Sequence, residues 1–224
     1  MLYIVATPIG NIEDITIRAL RILKEVDIIA SEDTRETMNL LKYYQINNKL
    51  ISYHKWNEME KSKEILNFLL EGKKIALVCD RGTPGISDSA YIIVKKAQQA
   101  NIPVVAIPGA SSLTSAISVS GFPINEFTFF GFIPRKDGKK KKFFETVGKY
   151  KQYIIFFESV HRIKKTLQII SEIFPEREIC ICRELTKKFE EVISLKTQQS
   201  IQYYNNKKLK GEFVIILEGN KNVS

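Results

Sequence analysis

Hydrophobic positions in the first half of the chain fall into short continuous runs separated by stretches of helical period. Residues 2–6 (LYIVA), 26–30 (VDIIA), 75–79 (IALVC) and 104–107 (VVAI) are runs of strand length. Ile17, Leu20 and Leu23 share one face of a helix that Asp14 is placed to cap, and residues 34–44 read as the next helix. Asn57 with Glu60 makes a capping-box pattern ahead of Ile65, Phe68 and Leu69. Asp88 opens a further helix carrying Ile92, Ile93, Lys96 and Ala97. Strands that are apolar almost throughout are buried on both faces, so this alternation predicts an α/β domain with a mostly parallel sheet.

The second half has a different pattern. Residues 127–132, 153–157, 178–183, 191–195 and 213–217 are strand candidates, with helices over 139–149, 160–174 and 198–207. The step from Arg183 to Glu191 is short enough for a hairpin, whereas Leu195 to Phe213 spans a helix, which predicts a mixed sheet. Gly and Pro interrupt both patterns at residues 120–125 (SGFPIN), giving an expected division into domains 1–120 and 121–224.

The chain has 224 residues, 44% hydrophobic and 26% charged, enough for a sizeable core without disulfides or a structural metal. No apolar run reaches the length of a membrane-spanning helix, and the N-terminus lacks the basic start of a signal peptide. Cys79, Cys180 and Cys182 form no even set, and Cys180 and Cys182 alternate along one strand, a poor geometry for pairing. His54 and His161 lie too far apart in sequence to suggest a zinc site. The expectation is a reduced, cytoplasmic protein with no metal and no membrane association.

Charge changes the picture. Of the net +9, residues 1–112 hold 14 basic and 13 acidic side chains, and residues 113–224 hold 20 and 12. A basic half beside a neutral one suits contact with a polyanion, although lysine-rich surfaces also serve solubility. The excess is densest at Arg135, Lys136, Lys139, Lys140, Lys141 and Lys142, six cations within eight residues followed by Phe143 and Phe144. Such a run can neutralise several phosphates.

Small-residue loops follow three of the predicted strands: Thr7 to Asn11 (TPIGN), Asp80 to Asp88 (DRGTPGISD) and Pro108 to Ser112 (PGASS). In open α/β sheets ligands bind beyond the strand ends, where glycine lets the backbone approach closely. None of the three is a phosphate loop.

These loops, with SEDTR at residues 31–35, PGASSL at 108–113 and RELTKKFEEV at 183–192, form an ordered series. From residue 2 to about 219 the chain resembles the ribosomal RNA small-subunit methyltransferase I family, a branch of the tetrapyrrole methylase superfamily. The resemblance implies two α/β domains of tetrapyrrole-methylase type with the cofactor, S-adenosyl-L-methionine, in the cleft between them, and a homodimer. It also implies 2′-O-methylation of a cytidine in 16S rRNA, at the decoding centre of the small ribosomal subunit. Carried over by motif, the cofactor would touch Pro8, Ile9, Asp80, Gly82, Thr83, Ile86, Ser111 and Ser112 in the first domain. In the second it would touch Phe157, Cys182, Glu212 and Phe213. Sister families have an aspartate where Thr83 stands, so Thr83 and Asp80 would share its task. Arg81 replaces a small residue, Ser89-Ala90 replaces a Pro-Gly pair, and longer relatives carry a further C-terminal segment.

A ribose hydroxyl is a weak nucleophile, so methyl transfer to it gains from a positioned base and from a cation that stabilises the emerging alkoxide. SEDTR opens a helix at a strand end, which brings Glu32, Asp33 and Arg35 towards the site, or gives Asp33 and Glu36 a helix-dipole role alone. Asp33 or Glu184 is the expected base, with Lys188 as oxyanion or phosphate partner. Arg35, Arg183 and Lys187 join the basic run as expected RNA contacts. Trp56 could stack on a base or cover a dimer contact, and His161 could meet substrate or cap a helix.

Overall fold

In the computed structural model, which describes residues 1–221, the chain divides into two compact units, the first being Met1–Ser111 and the second beginning at Ser112. The first unit holds a five-stranded parallel sheet of β1 (Leu2–Val5), β2 (Ile28–Ser31), β3 (Leu50–Ser52), β4 (Ile75–Val78) and β5 (Val104–Ile107). Their order across the sheet is β3-β2-β4-β1-β5. Every residue of β2 and β4 is buried, as unbroken apolar runs require. Alternate residues of β4 serve opposite cores. Ile75 and Leu77 pack with Ile65, Leu69, Ile93 and Ala97 of α3 (Glu58–Leu70) and α4 (Ala90–Gln99). Ala76 and Val78 pack with Ile22, Leu23 and Leu41 of α1 (Ile17–Glu25) and α2 (Thr34–Tyr43).

Three helix starts differ from the sequence expectation. Asp14 ends a 3-10 turn (Ile12–Asp14), and Thr16 caps α1 instead, accepting the Ala19 N–H at 3.1 Å. Asn57 makes no capping hydrogen bond: its carboxamide accepts from the His54 N–H at 2.8 Å and faces Ser52, closing the loop ahead of α3. Asp88 lies two residues before α4, where its carboxylate accepts N–H groups of Gly85 and Ala90 and knots the loop. The short β3 is a further strand that its half-polar surroundings concealed.

The second unit starts with α5 (Ser112–Val119), followed by β6 (Phe127–Phe132), α6 (Asp137–Val147), β7 (Tyr153–Ser159), α7 (Ile163–Ile173), β8 (Glu178–Arg183), β9 (Glu191–Lys196), α8 (Thr197–Asn205) and β10 (Glu212–Leu217). Its sheet, in the order β6-β7-β10-β8-β9, is mixed: β6 runs parallel to β7 and the other pairs are antiparallel. β8 and β9 form the expected hairpin, with Arg183 opposite Glu191. One face carries Ile154, Phe156, Ile179, Ile181, Ile215 and Leu217, which pack against Phe144, Leu167, Ile170 and Tyr204 of the helices. α5, which was not legible as an element, lies against β10.

Candidate active site

The sheet order of the first unit makes β4, β1 and β5 neighbours, so the three small-residue loops leave adjacent strand ends. They are joined to one another. Thr7 and Gly82 exchange two backbone hydrogen bonds of 2.9 and 3.0 Å, and the Thr7 hydroxyl donates to the Cys79 carbonyl at 3.0 Å. The Thr83 hydroxyl donates to the Ala110 carbonyl at 3.0 Å. Gly82 has φ +82°, and a Cβ there would stand 3.2 Å from Ile9 Cγ2 and 3.6 Å from the Ala110 carbonyl oxygen. A Cβ on Gly109 would come within 3.0 Å of Ala6 Cβ. Both glycines therefore sit where the loops close on each other, and a side chain at either would press on a neighbouring residue. Ile9 is buried, while Pro8, Thr83 and Ser111 are half-buried and Asp80 and Ile86 are exposed. Ser112 opens α5.

SEDTR follows β2, the strand beside β4. The Asp33 N–H donates to Asp80 Oδ1 at 2.8 Å, joining this segment to the second loop. The Asp33 carboxylate caps α2 through the Arg35 N–H at 2.8 Å and pairs with the Arg35 guanidinium at 2.7 Å. Hydrogen bonds from the Arg35 side chain and backbone hold its carboxyl at about 2. Asp33 thus caps α2 and also pairs with Arg35 at the surface. Glu32 has the opposite character: burial, then the charges of Asp80 and Asp88, push its carboxyl above the usual range. Glu32 lines a small cavity together with Tyr53, His54, Asp88 and Ser89. Sequence alone places Glu32 near the site but does not set it apart as a base, since only the three-dimensional grouping of carboxylates distinguishes it from Asp33.

In the second unit, Phe157, Cys182, Glu212 and Phe213 are brought to one end of β7, β8 and β10, where Val214 pairs with both Phe157 and Cys182. Cys182 and Phe213 are fully buried, so they offer a ligand main chain only. Glu184 takes φ +53° and its Oε1 accepts from Lys187 Nζ at 2.7 Å and from the Glu212 N–H at 3.1 Å. Its side chain fills the space above Gly211, where a Cβ would lie 2.2 Å from the Glu184 carboxyl carbon. Glu184 and Lys187 thereby fasten the β8–β9 turn to the start of β10. Lys188 is exposed, 5.7 Å from the Phe189 ring.

The expected RNA contacts separate into free and engaged cations. Arg183 is tied to Glu191 at 3.2 Å, and Arg35 to Asp33. Arg135, Lys136, Lys139, Lys141 and Lys142 are exposed along the start of α6. Lys140 is the correction: it is 1% exposed, with its ammonium directed inward, because it shares the inner face of the helix with Phe144 and Val147. Trp56 is 91% exposed and His161 is exposed as well.

A parallel unit whose adjacent strand ends feed fused small-residue loops, followed by a mixed-sheet unit, is the architecture of the tetrapyrrole (corrin/porphyrin) methylases. The profile of that family matches residues 1–200, and the chain belongs to it. Within it the branch is ribosomal RNA small subunit methyltransferase I. The Thermotoga maritima protein of that name is 47% identical over 219 residues, covering 97% of this chain and 98% of its own. The Halalkalibacterium halodurans protein of that name is 45% identical over 219 residues, 98% of this chain and 76% of its own. The uroporphyrin-III C-methyltransferase of Thermus thermophilus, solved with S-adenyl homocysteine, shares the fold at a TM-score of 0.66 and 14% identity, over 96% of each chain. The methyl donor of this family is S-adenosylmethionine, and the solvent-accessible polar side chains of Asp80, Thr83 and Ser111 on the first-unit loops are of the kind that suit its hydroxyl and amino groups.

Proposed function

We propose that the chain methylates the ribose 2′-hydroxyl of a cytidine in 16S rRNA, at the decoding centre of the small ribosomal subunit. The observation that carries this reading, beyond kinship, is the gathering of five exposed cations, Arg135, Lys136, Lys139, Lys141 and Lys142, at the start of one helix. A small anionic acceptor has no use for so long a cationic surface, whereas a polynucleotide backbone does. The resemblance further supports a cytoplasmic homodimer.

S-adenosylmethionine supplies, when bound, a methyl group already activated on a sulfonium. The protein is left to align the acceptor oxygen, exclude water and accept one proton. In this reading the loops around Gly82 and Gly109 hold the donor by main chain, with Asp80 and Thr83 at its polar groups. Glu32, set among carboxylates that favour its protonation, receives the proton of the hydroxyl. Lys188, exposed on the β8–β9 turn, serves the phosphate or the emerging alkoxide.

The test is calorimetric titration of S-adenosylmethionine followed by methyl transfer to small subunits from a strain lacking the enzyme, with naked rRNA in parallel. Donor binding with a new 2′-O-methylcytidine in 16S rRNA is the expected result. Donor binding without transfer to subunits or rRNA would redirect the reading to a small-molecule methylase.

A further inference from the structure

α6 opens inside the basic run, and its geometry poses a problem that the sequence alone does not reveal. Successive residues turn by about 100° around a helix, so four consecutive lysines sweep most of its circumference and one of them must face inward. In register with Phe144 and Val147, that one is Lys140. An ammonium among apolar side chains is costly to dehydrate, and burial does pull its proton affinity down despite Glu158 and Asp137 nearby.

The interior answers with a connected set of polar groups. Lys140 Nζ donates to Thr166 Oγ1 at 3.0 Å, and Thr166 Oγ1 donates to Glu158 Oε2 at 2.6 Å. Glu158 Oε1 meets Arg162 Nη2 at 2.5 Å, and Arg162 Nη1 reaches the Ile133 carbonyl at 3.3 Å. Thr166 and Glu158 are 0% and 1% exposed. The chain of contacts therefore joins α6 and the segment just before it to the end of β7 and the first turn of α7. Leucine or methionine at position 140 would fill the space without any of this, so the polar set offers specificity more than stability. A rotation that turned Lys140 outward would break its hydrogen bond to Thr166 and carry Phe144 and Val147, on the same buried face, away from the core.

We propose that Lys140, Thr166 and Glu158 form a buried lock that fixes the rotation of α6 and so keeps Lys139, Lys141 and Lys142 turned to solvent, continuing for an RNA backbone the basic ridge that Arg135 and Lys136 begin just before the helix. Lys140 is then a positioning residue and never touches phosphate. The ridge's ligand rests on the functional reading above, whereas the lock itself does not.

Thr166→Val and Thr166→Ser test the lock at a residue that no RNA can reach. Lysine acylation read by mass spectrometry, in the absence of RNA, reports the helix rotation. In the wild-type protein Lys140 should stay protected while Lys139, Lys141 and Lys142 react. In Thr166→Val, Lys140 should become reactive and RNA affinity should fall about tenfold, with donor affinity unchanged, whereas Thr166→Ser should track the wild type. Wild-type protection and RNA affinity in Thr166→Val would overturn the proposal, as would equal impairment by serine. Loss of RNA binding, donor binding and melting temperature together would also overturn it, since the role would then be general stability. A wild-type protein that protects Lys140 but binds no RNA would instead overturn the functional reading and the ridge with it.

Discussion

Replacing Glu191 with glutamine isolates the charge of one carboxylate at the start of β9, an edge strand of the second unit. Glu191 Oε2 accepts from Arg183 Nε at 3.2 Å and from the Tyr204 hydroxyl at 2.9 Å. Its Oε1 accepts from Lys207 Nζ at 3.0 Å and from the Tyr203 hydroxyl at 2.9 Å. Burial alone would raise this carboxyl, but the hydrogen bonds from Lys207, Tyr203 and Tyr204 and the charge of Lys207 outweigh it and lower it from 4.5 to about 2. A drop of that size corresponds to about 3 kcal/mol favouring the folded state, and partial solvent screening at 17% exposure reduces it to roughly 2. Glutamine retains hydrogen-bonding capacity towards the tyrosines and loses the charge. Near pH 7 the variant should melt roughly 4–8 °C below the wild type. The folded carboxyl is the more acidic one, so its contribution is complete above pH 4.5 and is lost as pH falls towards 2. Melting curves recorded at intervals from pH 7 downward should therefore show the gap between the two proteins narrowing only below 4.5. A gap that is constant with pH, or one that widens in acid, would refute the reasoning.

Other perturbations address the site and its surroundings. Changing Lys139, Lys141 and Lys142 to Glu removes three exposed cations and should flatten the dependence of log K for RNA on log salt by about 2, leaving calorimetric donor affinity unaltered. Gly82→Ala forces a side chain into φ +82° against Ile9, which should cost about 1 kcal/mol and weaken donor binding measured by calorimetry. Glu32→Gln should reduce single-turnover methyl transfer by about 100-fold with donor affinity retained, while Asp33→Asn should reduce it far less. Equal losses in these two variants would return the base to the Asp33 side of the loop. With Glu32 accepting the proton, the wild-type rate should climb with pH through the raised pKa of that carboxyl and then level, and a flat acid limb would oppose the assignment.

Much of this architecture is visible in the order of residues. β2 and β4 were legible because a strand buried on both faces leaves no room for polar alternation. The small-residue loops were legible because their glycines occur where the chain packs closely on itself, Gly82 against Ile9 and Gly109 against Ala6. β3 escaped notice because three half-buried residues carry too little periodicity, and α5 because SLTSAISV mixes hydroxyls with a single fully buried alanine. Partnership was hidden as well. Nothing in RELTKKFEE says that Glu184 and Lys187 spend their charges on each other, or that Arg183 is held by Glu191. Lys140 is the sharpest case: it looks like its neighbours in sequence and differs from them only in the direction it faces.

The sheet order of the first unit also bears on how the chain folds during synthesis. β1 is the first strand to be made, yet it pairs only with β4 and β5, some 70 and 100 residues downstream (Leu2 faces Ile75 and Val104). Its sequence neighbour β2 pairs with β3 and β4 instead. The segment LYIV must therefore wait, apolar and without strand partners, until nearly the whole unit has emerged, and loop closure over that span is slow. During that interval it is a point at which a nascent chain can associate with another, or be held by a chaperone. The oldest strand completes the sheet by inserting between two of the youngest.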